Sequence, residues 1–432
     1  MSGEALMIVF IAIFSIGLLV GVPITFSLGA SGVVALWLSD VAMSILVRSM
    51  LTAFESFTLL AVFLFVMMGT IYQKTGLATL VCNAIMPLIG RVKGGLALVA
   101  VYSSAFFSAF TGSATATAAT ISKIMGPEMV ENDYPSDFSA ATIAGASPLG
   151  ALIPPSIVCI VLGVATGTSI ISLFMMAFGI SILTLVGLTV VVLYIARKNN
   201  YGGIARRYTF REGALEIGRA APLIIVPVAV LGGMYAGMFT ATEAGAIGSL
   251  ISFIIAIFYR KLNLRKFFEI IIDSTGVTAM VMLIISASYV LSFVMSFTGI
   301  MAMFIDLLVY ITTHGAIWGL LFLFGVLMFL GLFMDLIVMA IVLAPTAVAA
   351  LSGMGVNPYH VNAVFLISNL IAIITPPVGV ALFTSTVILN EKIERVSRKV
   401  IPYAAMYIII TLVIIFFPEV ALWLPRMLGM NV

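Results

Sequence analysis

Long apolar blocks alternate along this chain with short charged clusters, and the blocks predict helices near 5–22, 24–39, 55–73, 170–196, 220–239, 243–259, 272–297 and 400–417. Their lengths lie close to the ~20 residues that a helix needs to cross a bilayer. Two further stretches, 138–168 and 358–389, are equally apolar but interrupted. The first contains Gly145-Ala146-Ser147-Pro148-Leu149-Gly150-Ala151-Leu152-Ile153-Pro154-Pro155-Ser156; the second contains Ile373-Ile374-Thr375-Pro376-Pro377-Val378-Gly379. Proline removes a backbone donor and clashes with the preceding turn, so each helix must open there. In hydrocarbon, opened backbone is tolerated only where protein or a water-filled cavity satisfies it. Related breaks in two halves of a chain point to the binding site of a secondary transporter.

Charge sets the expected topology. Three basic clusters (Arg197, Lys198, Arg206, Arg207, Arg211 and Arg219; Arg260, Lys261, Arg265 and Lys266; Lys392, Arg395, Arg398 and Lys399) face the cytoplasm by the positive-inside rule. For 272–297 to run outward and 358–389 to return, 300–347 cannot hold an odd number of full crossings. The simplest solution is a short in-plane helix at 300–313 and a re-entrant hairpin over 316–347, turning near Gly331-Leu332-Phe333-Met334-Asp335. The first half fits the same plan, with a short helix at 77–90 and a hairpin over 95–122 whose feet carry Arg91, Lys93 and Lys123. Gly21, Gly29 and Gly32 recur as Gly237, Gly245 and Gly248, and Thr75-Gly76 recurs as Thr298-Gly299. The expected architecture is therefore an all-α polytopic membrane protein built from two repeats, 1–210 and 211–432. Five full crossings in each make the repeats inverted.

Composition narrows the function. The 432 residues are 62% hydrophobic and 9% charged, against about a quarter charged in soluble domains. The net charge of +3 resides in loop clusters and argues for no nucleic-acid partner. Cys82 and Cys159 lie in apolar segments and read as buried packing residues. His314 and His360 are the only histidines, and no paired carboxylates or Ser-His arrangement converge, so an enzyme is not expected. The first apolar stretch is preceded by Glu4 rather than a basic region, which makes it a retained span rather than a signal peptide.

Two polar features fall at bilayer depth. Ser103-Ser104-Ala105-Phe106-Phe107-Ser108-Ala109-Phe110-Thr111-Gly112-Ser113-Ala114-Thr115-Ala116-Thr117 is a hydroxyl-rich hairpin turn without charge. Carbonyl and hydroxyl oxygens at such a tip suit Na⁺, and helix N-terminal N–H groups suit an anion. Close helix packing also favours small residues, but it would not need so many hydroxyls. Asp335 is the lone ionisable residue of the second hairpin; it either binds a cation or caps the second arm. Thr240-Ala241-Thr242-Glu243 has capping-box spacing and reads as structural. Asp306 is expected at an interface, and Glu128, Glu131, Asp133 and Asp137 on a solvated surface.

On these residues the chain resembles the large membrane subunit of tripartite ATP-independent periplasmic (TRAP) transporters. The matching segments are Phe110 to Ala119, Ile153-Pro154-Pro155-Ser156, Gly331 to Asp335, Ile374 to Gly379, and Gly237 to Ala244, where Ala241 replaces the family's usual proline. The resemblance implies an elevator-type, Na⁺-driven carrier of organic acid anions (C4-dicarboxylates, keto acids or sialic acid) in a bacterial inner membrane. Its implied partners are a small four-helix membrane subunit, expected as a separate chain, and a periplasmic substrate-binding protein. One Na⁺ is expected near Ser103, Ser108, Gly112, Gly145, Ser147 and Pro148, and a second near Gly325, Gly331, Asp335 and Thr375. The substrate carboxylate is expected near Ser113, Thr115, Pro154, Ser156 and Pro376. With no Arg or Lys in either tip, the anion would depend on N–H dipoles, hydroxyls and co-bound Na⁺. A stand-alone Na⁺/dicarboxylate symporter of the same hairpin architecture is the alternative.

Overall fold

The computed structural model describes residues 3–22, 24–39, 42–203 and 208–432; Arg206 and Arg207 of the first basic cluster lie outside them. The described residues are helical throughout the membrane-sized blocks. In the first half the helices are α1 (Gly3–Leu19), α2 (Ile24–Trp37), α3 (Met43–Glu55), α4 (Leu60–Thr75), α5 (Leu77–Ile89), α6 (Gly95–Thr111), α7 (Ala114–Glu131), α8 (Ser136–Ala146), α9 (Leu149–Leu152), α10 (Ile157–Thr166) and α11 (Ile170–Asn199). The second half continues with α12 (Phe210–Ala220), α13 (Ile225–Tyr235), α14 (Ala241–Phe258), α15 (Leu264–Phe297), α16 (Ile300–Thr312), α17 (Ala316–Gly331) and α18 (Leu336–Val342). It ends with α19 (Ala344–Gly353), α20 (Pro358–Ile374), α21 (Val380–Ile388), α22 (Ile393–Phe416) and α23 (Glu419–Met427). Among the described residues six helices are long and apolar enough to cross a membrane, or up to eight if each bent pair is one span.

Local chemistry explains most boundaries. Ser113, Ser156, Ser169, Asn263, Asp335 and Asn357 each accept a backbone N–H at a helix start. Such caps satisfy donors that the first turn leaves free. Thr209 with Glu212 and Thr240 with Glu243 form capping boxes, the latter as its spacing suggested. Cys82 and Cys159 are buried free thiols.

Several boundaries differ from the sequence expectation. Between the second and third expected spans lies α3, which carries Arg48 and leaves Met43, Val47, Leu51 and Phe54 exposed. This three- to four-residue spacing forms an apolar stripe, but at 13 residues α3 is too short to cross a bilayer. The span expected at 220–239 instead starts at Phe210 behind the Thr209 cap, and passes through a 3-10 turn at Ala221–Ile224 before α13. The spans expected from 272 and 400 begin at Leu264 and Ile393, because their charged first turns are helical too. In α15 an Arg265–Glu269 pair at 2.9 Å supports that turn. The first hairpin's second arm runs past 122 to Glu131, and the second hairpin's second arm bends by 46° between α18 and α19.

Both hairpins and both breaks are present. Hairpin α6–α7 turns at Gly112-Ser113, and hairpin α17–α18 turns over Leu332 to Asp335. The first broken stretch bends by 44° between α8–α9 and α10; the second opens between α20 and α21. Conformation recurs along with sequence: Gly21 and Gly237 adopt φ of +84° and +70°, and Gly76 and Gly299 adopt +70° and +78°.

The core interlocks the halves. Hairpin α6–α7 packs on α8 and α9, and α17 packs on α20, within their own halves. The distal pieces of the broken helices cross over: α21 packs on α7 and α8, while α10 packs on α18. Each hairpin is thus held by a piece of the other half. Around this unit, α4 packs with α14 and α15. At one foot, the Tyr134 hydroxyl donates to the Gly202 carbonyl. Burial pushes that phenol up to about 12, so it remains a neutral donor at physiological pH.

Candidate transport cavity

A cavity of about 600 Å³ lies where the two hairpin tips face α4 and α15. The first tip contributes Thr111 to Ala116, the second Gly331 and Met334 to Ile337, and the second break Val378 to Val380. One wall is apolar, formed by Val66 of α4 and by Val277, Met280, Val281 and Ile284 of α15. Among the described residues Asp335 is the single ionisable side chain in the lining, and no Lys or Arg joins it.

The first tip is built by close backbone contact. Gly112 has φ +58°, a left-handed conformation that glycine adopts without a Cβ penalty. Its carbonyl accepts from Ile157 N at 3.2 Å, and a Cβ on it would stand 2.5 Å from the Pro155 oxygen. A Cβ on Gly150 would meet the Ser113 carbonyl at the same distance. The tip is therefore docked onto the first break, with Pro154 and Pro155 buried beneath it. Ser113 caps α7, accepting from Ala116 N at 3.4 Å, and lies 3.1 Å from the Thr115 hydroxyl.

The second tip is built differently. Asp335 Oδ1 accepts from Ile337 N at 2.8 Å, so its capping role is realised. A Cβ on Gly331 would lie 2.6 Å from the Ala372 Cβ, so α17 approaches α20 closely. Pro376 and Pro377 remain exposed, in contrast to their buried counterparts in the first break.

Of the expected site residues, Gly112, Ser113, Thr115, Gly331 and Asp335 border the cavity. Ser108, Gly145, Ser147 and Pro148 are buried behind the first tip. Ser108 Oγ donates to Ser104 O at 2.6 Å, Ser147 Oγ to Ala144 O at 2.7 Å, and the Gly145 carbonyl accepts from Tyr407 at 3.0 Å. Ser103 sits lower on α6, where its buried hydroxyl has only the Cys82 thiol as a weak partner. Ser156 caps α10, donating to Ala151 O at 2.6 Å and accepting from Cys159 N at 3.3 Å, and it stays off the lining, as does Pro154. Thr375 closes α20, its hydroxyl donating to Ile371 O at 2.6 Å, and with Pro376 it lies outside the lining. Gly325 is not brought to Asp335: it lies on the exposed face of α17, in a separate depression with Phe322 and Phe329. Sequence reasoning missed Thr70 and Gln73 of α4 and Asn369 of α20, all in the lining. Asn362 and Asn369, seven residues apart in an apolar helix, carried a usable signal.

Residues 11–420 match the family model of the tripartite ATP-independent periplasmic transporter, DctM component. This chain belongs to that family. The C4-dicarboxylate TRAP transporter large permease protein DctM of Pseudomonas aeruginosa is 31% identical, covering 94% of this chain and 95% of that protein. The isethionate TRAP transporter permease protein DctMQ of Oleidesulfovibrio alaskensis is 30% identical, covering 95% of this chain and 65% of that longer protein. In fold, the chain resembles the YdaH transporter of Alcanivorax borkumensis with a TM-score of 0.61 at 14% identity, over 90% of each chain. The chain is thus a multi-pass membrane permease subunit of a TRAP transporter, not an enzyme.

Proposed function

We propose that this DctM-family subunit imports an organic acid anion coupled to Na⁺, across a bacterial inner membrane. It works with a small four-helix membrane subunit and a periplasmic binding protein that delivers the substrate. The carrying observation is a cavity at two hairpin tips that offers a lone acidic group and no basic one. An anion in such a site depends on helix N-termini, hydroxyls and a co-transported cation for positive charge. The freed backbone and hydroxyls around Ser108, Gly112, Ser147 and Pro148, and the Asp335 carboxylate, are oxygen donors of the kind a hard cation takes. The names of the relatives favour a small carboxylate or sulfonate as substrate.

The motion proposed is an elevator, in which hairpins and broken helices move together past α4 and α15. Their cross-packing supports movement as one body. The cavity wall reaches Gln73, next to Lys74, which pairs with Asp273 at 2.5 Å. It also reaches Ala119, one turn before Lys123. These basic residues mark the side that the positive-inside rule assigns to the cytoplasm, which supports reading this conformation as the inward-facing one.

Uptake into proteoliposomes holding the chain and its small partner tests the proposal. Uptake that needs both an inward Na⁺ gradient and a matched binding protein is the expected result. Uptake driven by a proton gradient instead would remove the Na⁺ assignment, and uptake without the binding protein would make the chain a stand-alone symporter.

A further inference from the structure

Several buried side-chain oxygens among the described residues lack a hydrogen-bond partner, and only that of Asn369 belongs to a residue bordering the transport cavity. Asn369 sits on α20, is 1% exposed, and donates through Nδ2 to Phe365 O at 2.7 Å. That bond fixes the orientation of the amide. A backbone carbonyl only accepts, so the NH₂ group must face it, and Oδ1 is the atom left without a donor. A screened acceptor in this position is unfavourable until a donor reaches it.

A carboxylate cannot be that donor, because it only accepts. A ligand O–H can donate to it, and a cation could instead be coordinated by it. A cation needs several oxygens together, and α20 runs unbroken from Pro358 to Ile374, so the backbone carbonyls beside Asn369 are already used within the helix. Its cavity-lining neighbours one turn on, Ala372 and Ile373, offer no side-chain oxygen. The first half supplies the contrast. The spacing that relates Pro154 to Pro376 and Ser113 to Asp335 also relates Ser147 to Asn369. Ser147 stands at the end of α8, where the backbone opens, whereas Asn369 stands inside a continuous helix.

We infer that Asn369 Oδ1 accepts a hydrogen bond from a hydroxyl group of the transported acid, so that the chain selects hydroxy acids over their deoxy counterparts. This rests on the organic-acid reading above and narrows it. Asn369 is on this account a specificity residue, and its signature is a preference between paired ligands rather than a general loss of function.

The test measures concentration-dependent thermal stabilisation of the membrane complex in nanodiscs at saturating Na⁺. The ligand pairs are malate with succinate, isethionate with ethanesulfonate, and gluconate with hexanoate. One hydrogen bond corresponds to about tenfold tighter binding of the hydroxylated member in at least one pair. Asn369→Ala should abolish that preference, weakening the hydroxy acid about tenfold while the deoxy acid changes by less than about twofold. Asn362→Ala, a control on the same helix but outside the cavity lining, should retain it. Equal binding of both members by the unaltered protein would overturn the inference without any variant, which covers the case of Asn369→Ala failing to fold. Equal weakening of both members by Asn369→Ala would also overturn it. So would a rise of about tenfold in the Na⁺ half-saturation, which would make Asn369 a cation ligand. If no acid of any pair stabilises the unaltered protein, the inference falls together with the small carboxylate or sulfonate reading it rests on, an outcome distinct from lost preference.

Discussion

A methyl group at Gly112 would sit 2.5 Å from the Pro155 oxygen, on a residue with φ of +58°. Gly112→Ala therefore combines a left-handed alanine with a backbone clash, an expected loss of about 1–3 kcal/mol. Thermal unfolding in nanodiscs should show it, and an unchanged melting temperature would mean that the tip does not dock on the first break. Asp335 carries two separable roles. Asp335→Asn keeps an acceptor for Ile337 N but removes the charge, whereas Asp335→Ala removes both. The alanine variant should lose about 0.5–2 kcal/mol of stability through the missing cap. If the carboxylate helps hold Na⁺, the asparagine variant should keep its stability and raise the Na⁺ half-saturation for uptake. Unaltered Na⁺ dependence in Asp335→Asn would leave the residue a cap and nothing more.

At the scale of elements, the packing of α8 on α22 makes a sharp prediction. A Cβ on Gly145 would lie 2.6 Å from the Tyr403 ring, and Tyr403 and Tyr407 bond Thr142 and the Gly145 carbonyl at 2.7 and 3.0 Å. Gly145→Ala should cost about 1–3 kcal/mol by overpacking. Adding Tyr403→Ala should relieve the clash, so the double variant should fall short of the summed losses; additive losses in unfolding measurements would reject the contact. The Lys74–Asp273 pair that joins α4 to α15 is partly exposed, with side chains 35% and 43% accessible. A double-mutant cycle there should return no more than about 1 kcal/mol.

Legibility in the sequence followed the physics at this scale. Hairpins and breaks were readable because proline pairs and hydroxyl runs stand out against apolar sequence, and Gly331 to Asp335 was placed correctly as a turn. Charged helix starts such as Leu264 to Asp273 were not, since apolar pattern marks where lipid begins rather than where the helix begins. Local pattern could not place Gly325, whose facing depends on how α17 rotates against α20. The wall supplied by α4 and α15 was equally hidden, because it is ordinary span sequence that becomes a site only by packing.

For the whole molecule, the proposed motion has a direct readout. Spin labels on α4 and on α7 should give an inter-label distance distribution with two populations, whose balance shifts with Na⁺ and substrate. A single population under all conditions would reject movement of the hairpin unit past α4. Labels on α7 and α21, which pack together across the halves, should hold one distance throughout.

Gly69 of α4 faces the backbone of the first hairpin so closely that a Cβ there would lie 2.9 Å from Thr111 Cα. Around it, Val66, Val277 and Ile284 present hydrocarbon, and hydrocarbon contacts have no preferred direction. In the proposed motion such a surface would serve as a bearing: displacement along it would trade one apolar neighbour for another without breaking bonds. Its clearance is set at one point, where the bearing has no side chain at all. A residue with bulk at that point would press on the Thr111 backbone and act as a brake on the proposed motion.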